Sequence, residues 1–167
     1  LLSQRPFFIF LSQSGETADS REVLDNVVKQ GYPSLTLANV MNSTLTREAN
    51  FALPLLAGPE IAVASTKAYT AQIIVEAILA HAVGNSQLDL KNELAKTAVE
   101  MQVIIDQKDD FKVIAEQALR GQKSAFYIGR GLDAAVAVEA ALKLKEISYI
   151  QTEGFAAGEL KHGTISL

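Results

Sequence analysis

The chain has 167 residues, 49% of them hydrophobic and 20% charged, a globular balance large enough for one ordinary domain or two small ones. A net charge of −4 without a basic run excludes non-specific nucleic-acid binding, and no apolar run is long enough to span a membrane. Cysteine is absent, which excludes disulfides, thiolate metal sites and cysteine nucleophiles and fits a cytoplasmic protein. His81 and His162 lie far apart, so neither a metal nor another cofactor is expected. No cationic start precedes a short apolar core, so no signal peptide is expected. The chain lacks an initiator Met, enters an apolar strand by Phe7 and stops at Ile165-Ser166-Leu167, which reads as a strand cut in the middle. A fragment of a longer protein is expected.

Phe7 to Leu11 is a continuous apolar run, the pattern of a strand buried on both faces. A polar loop with Gly15 follows, then a helix from Asp19 to Gln30, with Gly31 as its C-cap. Ser34 to Val40 reads as the next strand, at the distance of a parallel crossover. Asn42-Ser43-Thr44 is a turn or cap before a short segment, Leu45 to Ala49, and Phe51 to Leu56 is a third strand. Helices are predicted from about Thr66 to Val83, from Leu90 to about Gln107, and over Phe111 to Leu119. The pattern then restarts: strand Ser124 to Ile128, loop Gly129-Arg130-Gly131, and a helix capped by Asp133 that runs to about Tyr149. The fold class is therefore α/β, a parallel sheet with flanking helices, in two halves joined by a helical connection. The boundaries expected are 1–88, 89–112 and 113–167, with both halves incomplete.

Three clusters carry candidate chemistry. Ser12-Gln13-Ser14-Gly15-Glu16-Thr17 lies between a strand's carboxyl end and a helix start. There, free N–H groups and the helix dipole attract anions. Hydroxyls at Ser12, Ser14 and Thr17 and the bare backbone of Gly15 suit a phosphate dianion. Gly-rich nucleotide fingerprints are missing. Ser14 or Thr17 could instead be only an N-cap. Val63-Ala64-Ser65-Thr66-Lys67 gathers hydroxyls at a second helix start, where Ser65 or Thr66 could again be only a cap. Together, the two clusters suggest a shared anionic ligand.

The third cluster lies on the segment from Val136 to Ile150, apolar almost all round and so expected to be buried. Glu139, Lys143 and Glu146 fall within roughly 60° of one another on it, while Lys145 points elsewhere. The stripe faces a cleft, an interface or solvent, and a solvated Glu139–Lys143 pair is the plain alternative. Downstream, Glu153 to Gly163 brings carboxylates together with Lys161 and His162, groups suited to acid–base work, although a lone surface histidine is the commoner case. His81, inside an apolar helix, reads as structural.

The runs Ser12 to Asp19, Gly58 to Gln72 and Ala140 to Leu167 resemble the isomerase domain of the glucosamine-6-phosphate synthases, also called glutamine–fructose-6-phosphate aminotransferases. That domain consists of two sugar-isomerase (SIS) subdomains of flavodoxin-like fold. The resemblance covers essentially the whole chain and implies conversion of fructose 6-phosphate and glutamine-derived ammonia to glucosamine 6-phosphate, a step of amino-sugar biosynthesis. It implies that Ser12, Gln13, Ser14 and Thr17 hold the sugar phosphate and that Val63, through its backbone, and Ser65 line the sugar. Glu146 would move the proton between C1 and C2, with Lys143 beside it helping to keep it ionised. His162 would assist ring opening in the site of a neighbouring subunit, which implies a homodimer. The family's glutaminase domain, its Cys-Gly-Thr-Ser loop and its Schiff-base lysine have no counterpart here, so the chain by itself is expected to be inactive. A sugar-phosphate-binding SIS module without catalysis is the alternative function, and a bare α/β scaffold is a third.

Overall fold

The computed structural model describes residues 5–163 and 166; the expected strand at the carboxyl end falls mainly on residues 164, 165 and 167, outside the described set. The chain divides into two compact units, Leu1–Leu90 and Lys91–Leu167.

In the first unit, β1 (Phe8–Ser12), β2 (Ser34–Ala38) and β3 (Phe51–Pro54) form a parallel sheet in the order β1-β2-β3. Three helices flank it: α1 (Ala18–Lys29), α2 (Thr44–Glu48) and α3 (Lys67–Gly84). Alternation along the strands sorts side chains between two cores. Phe10 packs with Leu24, Val27 and Leu45 under α1 and α2. Leu35, Leu37 and Leu55 pack with Ala71, Val75 and Leu79 of α3 on the other face. Gly31, at φ 72°, ends α1 as the sequence predicts; its N–H donates to the Val28 carbonyl oxygen, and that of Tyr32 donates to Val27.

β1 corrects one expectation. Its second face is not buried: Ile9 is 48% and Leu11 43% exposed. β2 is central and buried throughout, whereas β1 is an edge strand, and α3 covers it only in part. Phe7, Ile9 and Leu11 instead line an open apolar groove with Leu79, Ala80 and Val83.

The second unit contains α4 (Leu90–Asp106), which begins at the junction, then α5 (Lys108–Leu119), β4 (Ser124–Gly129), α6 (Leu132–Ser148) and β5 (Gln151–Ala156). β4 and β5 pair in parallel from Ser124↔Gln151 to Gly129↔Ala156. The order strand, loop, helix, parallel strand thus recurs in both units. β5 was not expected from the sequence. Gly154 permits it to pack closely, because a Cβ there would lie 2.6 Å from the Ala137 carbonyl oxygen and from the Val138 Cα.

Two further expectations are corrected here. The N-cap of α6 is Gly131, and Asp133 sits inside the first turn rather than capping it. Nor is α6 buried all round: Ala137 and Ala141 are buried, but Val136, Val138, Leu142 and Ile147 are 42–66% exposed. The helix meets β5 most closely where the Ala137–Val138 backbone approaches Gly154. Among the described residues no helix is long and apolar enough to cross a membrane.

Candidate functional site

Because β1, β2 and β3 run parallel, the loops leaving their carboxyl ends emerge at one edge of the sheet, where α/β folds bind ligands. The loop after β1 holds Ser12 to Thr17. Ser12 is buried, and its Oγ accepts the Gly15 N–H at 2.9 Å while lying 3.0 Å from the Thr17 Oγ1. Ser14 Oγ accepts the Glu16 N–H at 3.1 Å. Thr17 occupies the N-cap position of α1, but its side chain makes no cap bond; its hydroxyl belongs to the loop. As at every helix start, the first N–H groups of α1 lack intrahelical partners. The loop itself carries no cation.

The neighbouring loop holds this one in shape. Gly15, at φ 68°, packs so closely on Ser43 that a Cβ would lie 1.9 Å from its Oγ. The Gly15 carbonyl oxygen accepts the Leu45 N–H at 3.0 Å, and that of Gln13 accepts the N–H groups of Asn39 and Val40. Glu16 reaches across: its Oε1 accepts the Thr44 N–H at 2.8 Å, capping α2 in place of Ser43, which makes no cap bond. Hydrogen bonding from Thr44 holds the Glu16 carboxyl below its ordinary pKa.

Asn39 joins this region to the loop after β3. Its Nδ2 donates to the Gly58 carbonyl oxygen at 2.7 Å, and its Oδ1 accepts the Ala57 N–H at 3.0 Å. Farther along, Val63 is 87% exposed and Ser65 is half-buried. Thr66 is the N-cap residue of α3 but makes no side-chain cap bond. Glu60 does the capping. Its Oε1 accepts the Ala68 N–H at 2.8 Å and the Ser65 hydroxyl at 3.3 Å. The Ala68 N–H is the main cause of its lowered pKa. A carboxylate therefore already occupies the start of α3. The sequence alone suggests one anionic ligand shared by this cluster and the first loop; with Glu60 in place, the anionic end of such a ligand is not expected at this helix start.

In the second unit the charged stripe of α6 is a linked triad. Lys143 Nζ lies 3.3 Å from Glu139 Oε1 and 3.1 Å from Glu146 Oε2, with all three side chains 20–29% exposed. Desolvation of Lys143 would lower its pKa, but hydrogen bonds to Glu146 and Glu139 outweigh it, and the net shift is upward. His162 follows a short 3-10 turn, Glu159–Lys161, and its Nδ1 lies 3.3 Å from Glu159 Oε2. Both are exposed, and among the described residues no ion pair joins His162 to Glu146. The loop residues Ser12, Ser14 and Thr17 thus lie together, as do Lys143 and Glu146, whereas Val63 and His162 stand open to solvent. Glu16, Asn39 and Glu60 were not singled out from sequence. Their partners lie 5 to 28 residues away, outside the i,i+3 and i,i+4 spacings of a helix face.

A family model described as SIS domain matches residues 1–82 and 118–167. The whole chain is 64% identical to a glutamine–fructose-6-phosphate aminotransferase (isomerizing) of Lactiplantibacillus plantarum and 60% identical to one of Bacillus subtilis. It spans 29% of the length of each of these relatives. The solved C-terminal domain of glucosamine-fructose-6-phosphate aminotransferase from Francisella tularensis matches 96% of the chain, and 48% of its own, at 40% identity and a TM-score of 0.80. The parallel strands with flanking helices agree with that relationship, and the chain belongs to the SIS domain family.

Proposed function

We propose that this chain is part of an isomerase region that makes glucosamine 6-phosphate from fructose 6-phosphate and glutamine-derived ammonia. In this reading, residues 1–88 belong to a first SIS subdomain, 89–112 to a helical connection and 113–167 to a second subdomain. The observation that carries the binding half is the loop after β1. It offers hydroxyls and free helix N–H groups, and its one acidic side chain, Glu16, is turned to Thr44, so among the described residues no carboxylate takes a hydrogen from Ser12, Ser14 or Thr17. Such a loop favours an acceptor-only dianion, so Ser12, Gln13, Ser14 and Thr17 grip the phosphate. Val63, through its backbone, and Ser65 face the sugar.

Holding the non-reacting phosphate fixes where C1 and C2 lie, which lowers the entropic part of the barrier. Glu146 takes a proton from C1 and returns it to C2, work that one carboxylate within reach of both carbons can do. Lys143, bound to Glu146 and Glu139, limits the directions in which the Glu146 carboxylate can turn. His162 is 71% exposed at its side chain, which suits a group that assists ring opening in a second subunit of a homodimer. A cytoplasmic location agrees with the cysteine-free composition. The test is Glu146→Gln in the intact protein. Loss of the proton shuttle lowers kcat by about 10²- to 10⁴-fold while inorganic phosphate binds as before. Normal synthase activity in that variant would show that Glu146 is not the base.

A further inference from the structure

We propose that Glu60 is a specificity-determining positioning residue: by taking the Ser65 hydroxyl hydrogen, it makes Ser65 a pure acceptor that reads a sugar O–H and rejects phosphate. The proposal rests on the sugar-phosphate reading above and adds to it the direction of the hydrogen bonds.

A serine hydroxyl has one hydrogen and two lone pairs, and an ionised carboxylate only accepts. With Ser65 Oγ 3.3 Å from Glu60 Oε1, that hydrogen belongs to Glu60. Ser65 can then offer a ligand nothing but lone pairs. The oxygens of a fully ionised phosphate ester have no proton to give it, whereas a sugar hydroxyl does. The same Glu60 oxygen accepts the Ala68 N–H at 2.8 Å, so its place is fixed by the backbone of α3 rather than by the ligand. Lys67 Nζ donates to the Pro59 carbonyl oxygen at 2.6 Å and pins the adjoining turn. The negative charge of Glu60 also offsets the positive end of the α3 dipole, which would otherwise attract an anion.

The first loop has the opposite polarity. Ser14 Oγ is already an acceptor for the Glu16 N–H, so its own hydrogen is available to a ligand. Ser12 and Thr17 share one hydrogen between them, which leaves the other to donate. Two hydroxyl clusters that look alike in sequence are thus a donor set and an acceptor. A sugar phosphate satisfies both in only one orientation, phosphate at the loop after β1 and hydroxyl at Ser65.

The experiment titrates the intact protein with two probes, inorganic phosphate and fructose 6-phosphate, in wild type, Glu60→Ala, Glu60→Gln, Ser65→Ala and the Glu60→Ala/Ser65→Ala double variant. Glu60→Ala is expected to weaken fructose 6-phosphate about 5- to 10-fold, the loss of one oriented hydrogen bond, and to leave inorganic phosphate within about twofold. The double variant is expected to bind no more weakly than Ser65→Ala, because Glu60 acts through Ser65. Glu60→Gln keeps an amide oxygen for both donors and is expected to stay within about threefold of wild type. Equal loss of both probes in Glu60→Ala, additive losses in the double variant, or a Glu60→Gln as weak as Glu60→Ala would each overturn the proposal while leaving the phosphate loop intact. Failure of the wild type to bind either probe would remove the sugar-phosphate reading itself, and this proposal with it.

Discussion

Replacing Gly15 by alanine tests how tightly the candidate phosphate loop is built. Two costs add. Gly15 sits at φ 68°, a left-handed conformation that costs a residue with a Cβ about 1–2 kcal/mol. The new Cβ would also lie 1.9 Å from Ser43 Oγ and 2.5 Å from Ser43 Cβ. Ser43 is 3% exposed, and its Oγ pairs with Thr46 Oγ1 at 3.2 Å, so it has little room to retreat. Overpacking of this kind costs about 1–3 kcal/mol. The expected loss is therefore about 2–5 kcal/mol, a large share of ordinary domain stability. Urea unfolding followed by circular dichroism measures it. Adding Ser43→Ala removes only the Oγ contact and recovers part of the loss; adding Ser43→Gly removes both contacts and leaves chiefly the backbone penalty. A Gly15→Ala cost below about 0.5 kcal/mol, the level of an unconstrained surface change, would refute the packing argument. So would equal rescue by Ser43→Ala and Ser43→Gly.

The remaining predictions concern the links between loops. Asn39→Ala removes both partners of the Ala57–Gly58 turn; it is expected to cost about 1–3 kcal/mol and to speed amide exchange at Ala57 selectively, with uniform exchange across the unit as the contrary result. Hydrogen bonds from Thr44 to Glu16 and from the Ala68 N–H to Glu60 hold both carboxyls below the ordinary glutamate range when folded. Their hydrogen bonds therefore contribute stability that is full above the unfolded value and is lost as pH falls through the folded one. Thermal melts should show wild type ahead of Glu16→Gln/Glu60→Gln at pH 7, with the gap closing below about pH 4.5, near the ordinary carboxylate range; a gap that stays constant on acidification would contradict the assignment.

Much of the first unit, and the charged stripe of the second, was legible because the signals are local. The apolar run at Phe7 to Leu11, Gly31 after α1 and the i,i+3 and i,i+4 spacing of Glu139, Lys143 and Glu146 each reflect neighbours within a turn or two. β5 was not legible. Gln151-Thr152-Glu153-Gly154-Phe155-Ala156 is neither an apolar run nor a regular alternation, and of its residues Thr152 alone is buried. Its extended form comes from pairing with β4 and from the close approach of α6 at Gly154, both tertiary effects. The exposed faces of β1 and α6 were misjudged for a related reason. Composition shows that a segment is apolar on two sides, but not whether anything in the chain covers the second.

The same limit explains why the two hydroxyl clusters looked equivalent. A serine at a helix start has no fixed hydrogen-bond direction until its partner is known. For Ser14 the partner is the Glu16 N–H two residues on, which leaves the hydroxyl a donor; for Ser65 it is Glu60, five residues back across a turn, which leaves it an acceptor. Asn39 then ties both regions, with its N–H on the Gln13 carbonyl oxygen and its side chain on Ala57 and Gly58. The two loops are thereby joined through one half-buried residue just past the end of β2. In the proposed reading, a ligand that satisfies both loops is selected by hydrogen-bond polarity.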